Sequence, residues 1–371
     1  MPLRVALIAE DYYPQLGGVP EHVHNLALQL HALGHDATIV TSHMRMNGAA
    51  DARYVRRIGT SLVIYANGGV ARITVGWRLT SQLEALFRRE RFDVVHVHGG
   101  LAPTFGVVAP EAAWRAGIPV VATFHTWFPR SIGYRLFRKP AQRMLDRHAA
   151  TIAVSSAAQE AMSRYFSASW EIIPNGVDTT FFRPGLNHGL EPRREGSGPK
   201  LLWLGRIEPR NDLETVLAAM PSILERHPRA HLTVVGDGPW RARVERAARS
   251  LGSSVHFAGF VNGERPAYYR NADVYLCPTR RASFGVTLLE AMACGTPMVV
   301  SDLPAFRDVA GPHAEFVAPR DAAAWGRAVN GLLANPERRV ALMKEGRRVA
   351  ERHAWPLVAQ RVLAVYKRVT E

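Results

Sequence analysis

The 371-residue chain has only two cysteines, Cys277 and Cys294. That is too few for a disulfide framework, and neither stands in a CxxC spacing that zinc would use, so both read as reduced packing residues. No apolar run approaches the ~18 residues of a membrane helix. Glu10 and Asp11 interrupt the first apolar segment before it could form the core of a signal peptide. No period of roughly 20 to 50 residues repeats, which argues against a solenoid. Acid is the scarce charge: 32 acidic residues stand against 46 basic ones, for a net +14. Such an excess suits nucleic acid, an anionic membrane surface or a polyanionic small substrate. The bases are spread along the chain, with no arginine arm, zinc-finger spacing or RNP-like aromatic strand, so nucleic acid is not expected as a partner. What is present, 47% apolar and 21% charged residues, describes a folded soluble chain, long enough for two domains and expected in the cytoplasm.

Short Val- and Ile-rich runs alternate with helical periodicities, the pattern of βαβ units around parallel sheets buried on both faces. One series runs through Val5–Ala9, Ala37–Thr41, Val94–His98, Val120–Thr123 and Ile152–Val154. A second runs through Leu201–Leu204, Leu232–Val235, Val255–Phe257, Val274–Cys277, Met298–Ser301 and Phe316–Val317. Between them Arg183–Lys200 holds three Pro and four Gly, a linker composition, and the hinge is expected there. The domains are accordingly 1–180 and 181–355. A last helix, carrying Leu357, Val358, Val362 and Val365, starts after Trp355-Pro356. In two open α/β domains facing each other across a cleft, ligands are expected at the carboxyl ends of the strands.

Several motifs fall at those ends. Gly17-Gly18 precedes a helix carrying Val23, Leu26 and Leu30 on one stripe and stopped by Gly34. The pair is a candidate anion seat, or equally a plain strand-to-helix turn. His96 and His98 close one strand and His125 follows the next. His98 and His125 are candidates to donate to a sugar hydroxyl or leaving-group oxygen, with His96 weaker and one pleat deeper. Zinc lacks a third ligand at a recognisable spacing, so no metal site is expected. Residues 127–147 hold six bases against one acid. Aromatic Trp127, Phe128, Tyr134 and Phe137 interleave there with Arg130, Arg135, Arg138, Lys139 and Arg143, which suits the headgroup layer of an anionic membrane. The competing reading is a solvated helix face with core aromatics, broken near Pro140. In the second half Gly205-Arg206 ends a strand, where Arg206 offers fixed planar donors to a diphosphate, and Asp212 caps the helix that follows. Gly236-Asp237-Gly238-Pro239 is another strand-end turn. Ser283-Phe284-Gly285 opens a helix expected to begin near Ser283, and Glu290, alone in its apolar run, would need buried partners such as ribose hydroxyls.

Taken together and in order, Gly17-Gly18, Thr123-Phe124-His125, Ile173-Pro174-Asn175-Gly176-Val177-Asp178, Gly205-Arg206, Gly236-Asp237-Gly238-Pro239 and Phe284-Gly285 through Glu290 to Gly295 resemble the family 4 retaining glycosyltransferases. The resemblance covers nearly the whole chain. It implies an α/β chain of GT-B fold: two facing Rossmann-like parallel-sheet domains with an interdomain cleft. Within the family the chain is most similar to the bacterial phosphatidylinositol α-mannosyltransferases, through Tyr65–Arg72, Ala122–Thr126 and Val300–Arg307.

The resemblance implies a nucleoside-diphosphate sugar donor, a GDP- or UDP-hexose, with no obligatory metal, and a lipid or glycan acceptor reached from the cytoplasm, with peripheral membrane contact. Gly17 and Gly18 would lie against the donor diphosphate, His125 beside the transferred sugar, and Arg206 at the departing phosphates. Arg210, Gly236 and the backbone at Ser283, Phe284 and Gly285 would assist, Glu290 would hold the ribose, and the helix at about 356–371 would cross back to the first domain. His98 with Arg135, Arg138, Lys139 and Arg143 would serve the acceptor or membrane. Two positions depart from the family pattern: Asn211 stands where a lysine is usual and Ala282 where a glutamate is usual. Ala282 removes the likeliest carboxylate nucleophile, which favours front-face transfer over a covalent sugar intermediate. The same two changes motivate an alternative, a nucleotide-sugar-binding protein without catalysis; a polysaccharide-building transferase is another.

Overall fold

The computed structural model describes residues 1–15, 17–44, 52–66, 69–101, 104–185, 198–261 and 263–371. The chain divides into two compact units, Met1–Gly176 with Trp355–Glu371, and Val177–Ala354. The second unit begins earlier than residue 181 because Val177 and Phe182 are already tied into it. The Val177 amide donates to the His353 carbonyl, and Arg347 donates to the Phe182 carbonyl at 3.1 Å. Most of the Arg183–Lys200 segment read as the hinge lies outside the described residues.

The first unit is built on strands β1 (Arg4–Ala9), β2 (Asp36–His43), β3 (Val55–Ala66), β4 (Gly69–Val75), β5 (Val94–His98), β6 (Val120–Phe124), β7 (Ala150–Ala153) and β8 (Trp170–Ile172). Their order is β4-β3-β2-β1-β5-β6-β7-β8. All neighbours are parallel except β3 and β4, which pair antiparallel with Thr60 against Val75. Alternation along β1 supplies both faces of the sheet. Val5, Leu7 and Ala9 pack with Val23, Leu26 and Leu30 of helix Gly18–Ala32 and with Val358, Val362 and Tyr366 of helix Trp355–Thr370. Ala6 and Ile8 pack on the other face with Leu83 and Phe87 of helix Leu79–Glu90 and Phe105 and Ala109 of helix Phe105–Arg115. The strand order reverses between β1 and β5, so the carboxyl ends of β1, β5 and β6 are where open sheets of this kind usually place a ligand.

The second unit holds β9 (Lys200–Leu204), β10 (His231–Val235), β11 (Val255–Gly259), β12 (Val274–Cys277), β13 (Met298–Ser301) and β14 (Glu315–Val317), all parallel, in the order β11-β10-β9-β12-β13-β14. Leu201 and Trp203 of β9 and Leu232 and Val234 of β10 pack with Val216, Met220 and Ile223 of helix Leu213–Arg226 and Trp325 and Val329 of helix Ala322–Ala334. Here the order reverses between β9 and β12, which puts Arg206 and the Ser283–Gly285 turn beyond the carboxyl ends of adjacent strands.

Candidate active site

In the first unit His98 ends β5 and His125 follows β6, whose register sets His98 beside Thr123. The two rings meet directly, with His98 Nδ1 and His125 Nε2 3.1 Å apart. A third ring joins them. His22, one turn into helix Gly18–Ala32, is buried beside both, with ring centroids 4.8 Å from His125 and 5.3 Å from His98, and it lies edge-on to Trp355. Its Nδ1–H donates to Asn175 Oδ1 at 2.8 Å, which leaves Nε2 with a lone pair. One nitrogen from each of His22, His98 and His125 lies within 4.8 Å of the others. Nothing in the sequence flagged His22, because it sits inside an amphipathic helix and its partners are remote along the chain.

His96 is fully buried and has both nitrogens engaged, with Tyr366 Oη at 2.6 Å and Thr123 Oγ1 at 2.7 Å. It holds the last helix to the sheet. Burial pushes the pKa of His22 down to about 4, against the pull of Asn175. Burial first, then neighbouring imidazoles, pushes His96, His98 and His125 well below the usual histidine range. The cluster is therefore neutral near pH 7 and has hydrogen bonds and lone pairs to offer rather than charge.

Gly17 is the N-cap of the helix, with extended backbone, and Gly18 is its first residue. A methyl on Gly18 would meet no atom of the chain, and one on Gly17 only the Pro20 ring at 3.6 Å. Neither conformation nor internal packing among the described residues demands glycine here. Gly236 and Gly285 are different. Both have positive φ, a Cβ on Gly236 would lie 1.9 Å from the Gly205 carbonyl oxygen, and one on Gly285 would strike the Phe306 ring at 2.8 Å. Their glycines are explained by the chain itself.

In the second unit Arg206 follows β9 with its side chain 43% exposed and its Nε 3.8 Å from the buried Glu208 carboxylate. Arg210 pairs closely with the same carboxylate. Asn211 supplies no charge: its Nδ2 donates to the Arg206 carbonyl at 2.8 Å, bracing the turn on which Arg206 stands. Asp212 is at the N-cap of helix Leu213–Arg226 as expected, but its side chain accepts from the Thr215 hydroxyl rather than from a helix amide. The helix expected near Ser283 starts at Val286 instead, since the left-handed Gly285 stops it from extending backwards; Phe284 is buried and Ser283 half-buried. Glu290, read as needing ribose hydroxyls, finds its partners within the chain: Arg265 Nη1 at 2.8 Å and Tyr269 Oη at 2.9 Å.

The basic aromatic segment forms helices Ile132–Leu136 and Arg138–Leu145, broken at Phe137. Phe128 is a core residue against Tyr165, and partly buried Tyr134 packs on the same cluster against Phe166, where burial lifts its phenol to about 12. Arg135, Arg138, Lys139 and Arg143 are exposed. Beside them stand Ile132, Leu136 and Phe137, 78%, 70% and 65% exposed, an apolar patch rimmed with positive charge. No helix among the described residues is long and apolar enough to cross a membrane. The side chains of most of the Tyr65–Arg72 run lie outside the described residues.

Two family models match the chain in tandem: Glycosyltransferase Family 4 over residues 16–181 and Glycosyl transferases group 1 over residues 191–349. A phosphatidyl-myo-inositol mannosyltransferase of Propionibacterium freudenreichii is 33% identical over 98% of this chain and 94% of its own. A glycogen synthase of Mycobacterium tuberculosis is 26% identical over 98% and 94%. Among solved structures, Anabaena HepE in complex with UDP superposes with a TM-score of 0.79 at 16% identity, covering 99% of this chain and all of that one. With both of its parallel-sheet units and both of its halves matched, the chain belongs to glycosyltransferase family 4 and has the GT-B fold.

Proposed function

We propose that the protein transfers a hexose, mannose or glucose, from a GDP- or UDP-sugar to a lipid acceptor, phosphatidylinositol first among the choices, with retention at the anomeric carbon. The observation that carries the reading is the 33% identity to a phosphatidyl-myo-inositol mannosyltransferase along both chains. The exposed Ile132-Leu136-Phe137 patch among Arg135, Arg138, Lys139 and Arg143 supports a lipid acceptor, since apolar anchors within a basic rim suit an anionic bilayer surface.

The residues divide the chemistry between them. Departure of the nucleoside diphosphate is the demanding event, and developing negative charge is best met by donors already fixed in place. Arg206, braced by Asn211, offers a permanently charged fork. The amides at Gly18 offer a helix N-terminus to a phosphate, and those after Gly285 offer another within the second unit. His125, neutral and hydrogen-bonded to His98, would orient the transferred sugar through a hydroxyl. Ala282 supplies no carboxylate for a covalent intermediate, so attack from the face the phosphate leaves, with that phosphate taking the acceptor proton, fits these side chains best.

A thermal-shift screen against GDP, UDP and their hexose conjugates identifies the donor, because a ligand at 100 times its dissociation constant adds ~2.7 kcal/mol. The best donor is then offered to phosphatidylinositol vesicles and to soluble glucans, and the product's mass and anomeric configuration are read. Transfer to glucans alone would replace the lipid reading with the polysaccharide one. Donor binding without transfer to any acceptor would support a binding protein.

A further inference from the structure

We propose that His22, His98 and His125 form a three-imidazole site for a divalent cation of the zinc type. The three rings come from three separately anchored places: a helix interior, the end of β5 and the residue after β6. One nitrogen from each lies within 4.8 Å of the other two. Zinc bound at about 2.0–2.1 Å to each of three tetrahedral positions needs nitrogens about 3.3 Å apart, so small ring rotations complete the set and leave a fourth position for water or an anion.

Two further observations point to a cation. His98 is 3% exposed and its Nε2 is buried without any hydrogen-bond partner among the described residues, although such atoms are normally satisfied. His22 is held by Asn175 through Nδ1, which fixes its tautomer and leaves the lone pair on Nε2, a support that metal-binding histidines commonly have. His96, with both nitrogens taken by Tyr366 and Thr123, stays outside the ligand set.

Occupancy has a consequence that rests on the proposed role of His125: a metal-bound ring is withdrawn from the sugar, so zinc inhibits transfer. The metal site is tested without substrate, by titrating the full metal-free chain with Co2+. One tightly bound ion per chain with the intense visible bands of tetrahedral cobalt is expected. His22→Gln and His98→Gln should each weaken binding by ~100-fold or more, Asn175→Ala by ~10–100-fold, and His96→Gln should leave the bands intact. Persistence of the bands in both ligand variants, or no stoichiometric binding by the wild type, would overturn the site. Should the variants fail to fold, X-ray absorption on the zinc-loaded wild type decides: three imidazoles around the ion support the site, and sulfur or oxygen ligands alone refute it. Inhibition is scored separately as transfer with zinc against transfer with chelator. Cobalt bound in the expected manner while transfer is insensitive to zinc leaves the metal site standing and removes His125 from the sugar.

Discussion

Arg206 and Asn211 show how one turn can separate charge from scaffolding. Arg206 is half in solvent, and its ion pair with Glu208, at 3.8 Å, is of the kind that adds little to stability. In the proposed reading its use is in binding the donor phosphates. Arg206→Ala should therefore lower turnover by ~10²–10³, the scale for one lost donor to a developing anion, while shifting stability by no more than about 0.5 kcal/mol. Arg206→Lys should recover part of the loss, since the charge returns without the fork. An Arg206→Ala enzyme with turnover within a few-fold of wild type would end the proposed role. The buried histidines lead to a prediction of a different kind. His22 titrates at about 4 when folded against 6.5 for the ordinary side chain, and His96 and His98 are depressed in the same direction by burial. Above pH 6.5 neither state takes a proton and stability is flat. Below it the unfolded chain binds protons that the folded one refuses, so stability falls by up to about 1.4 kcal/mol per pH unit for each histidine, until the folded values are reached. Glu10 and Asp11, raised by burial, act in the opposite sense. Melting of the metal-free protein in chelator should drop steadily between pH 6.5 and about 4; a constant melting temperature across that window would contradict the neutral cluster.

Among the elements, those buried on both faces were the most legible. β5 and β6 are short, fully buried runs rich in Val, interrupted in β5 only by His96 and His98 and bounded by turn residues, because helices cover both sides of their sheet. The β3–β4 hairpin escaped because its strands at the sheet edge mix Arg56, Arg57 and Arg72 with apolar residues, although Asn67-Gly68 is a hairpin signal. The three-histidine cluster was legible only in part. His98 and His125 follow apolar strands and stand out, whereas His22 is one polar residue in a helix whose stripe reads as core. The basic helices illustrate a further limit: composition revealed the arginines, but only packing separates Tyr134, packed on the core, from exposed Phe137. Each base near an anionic surface contributes about 1 kcal/mol. Neutralising Arg135, Arg138, Lys139 and Arg143 should thus weaken binding to phosphatidylinositol-containing vesicles by roughly 10³-fold at low salt. Ile132→Ser with Leu136→Ser and Phe137→Ser should weaken it in neutral vesicles too, where charge contributes nothing. Vesicle cosedimentation unaffected by either set would separate this patch from the membrane.

At the scale of the whole chain, the first unit is completed by residues remote in sequence, Trp355–Glu371. The periodicity of Leu357, Val358, Val362 and Val365 identified a helix, but left its docking partner open until the resemblance suggested the first domain. In the structure helix Trp355–Thr370 buries Trp355, Val358, Ala359, Val362, Leu363, Val365 and Tyr366 within the first unit. Its two ends reach the histidine cluster: Trp355 lies against His22, and Tyr366 bonds His96. Gly176 is required where the chain leaves this unit, since a Cβ there would lie 2.5 Å from the Trp355 ring. Burying those side chains is worth on the order of 10 kcal/mol at the usual 1.5–3 kcal/mol for each large one, comparable with the entire 5–15 kcal/mol of a typical domain. A chain ending at Ala354 should therefore lose the first unit while Val177–Ala354, which contains its own complete sheet and core, stays folded. Hydrogen exchange on the truncated chain reads this directly. Amides of β1, β5 and β6 should exchange without protection and those of β9, β10 and β12 should remain slow. Equal protection of both sets would mean that the helix is an accessory rather than part of the core, and that the histidine cluster is held in place without it.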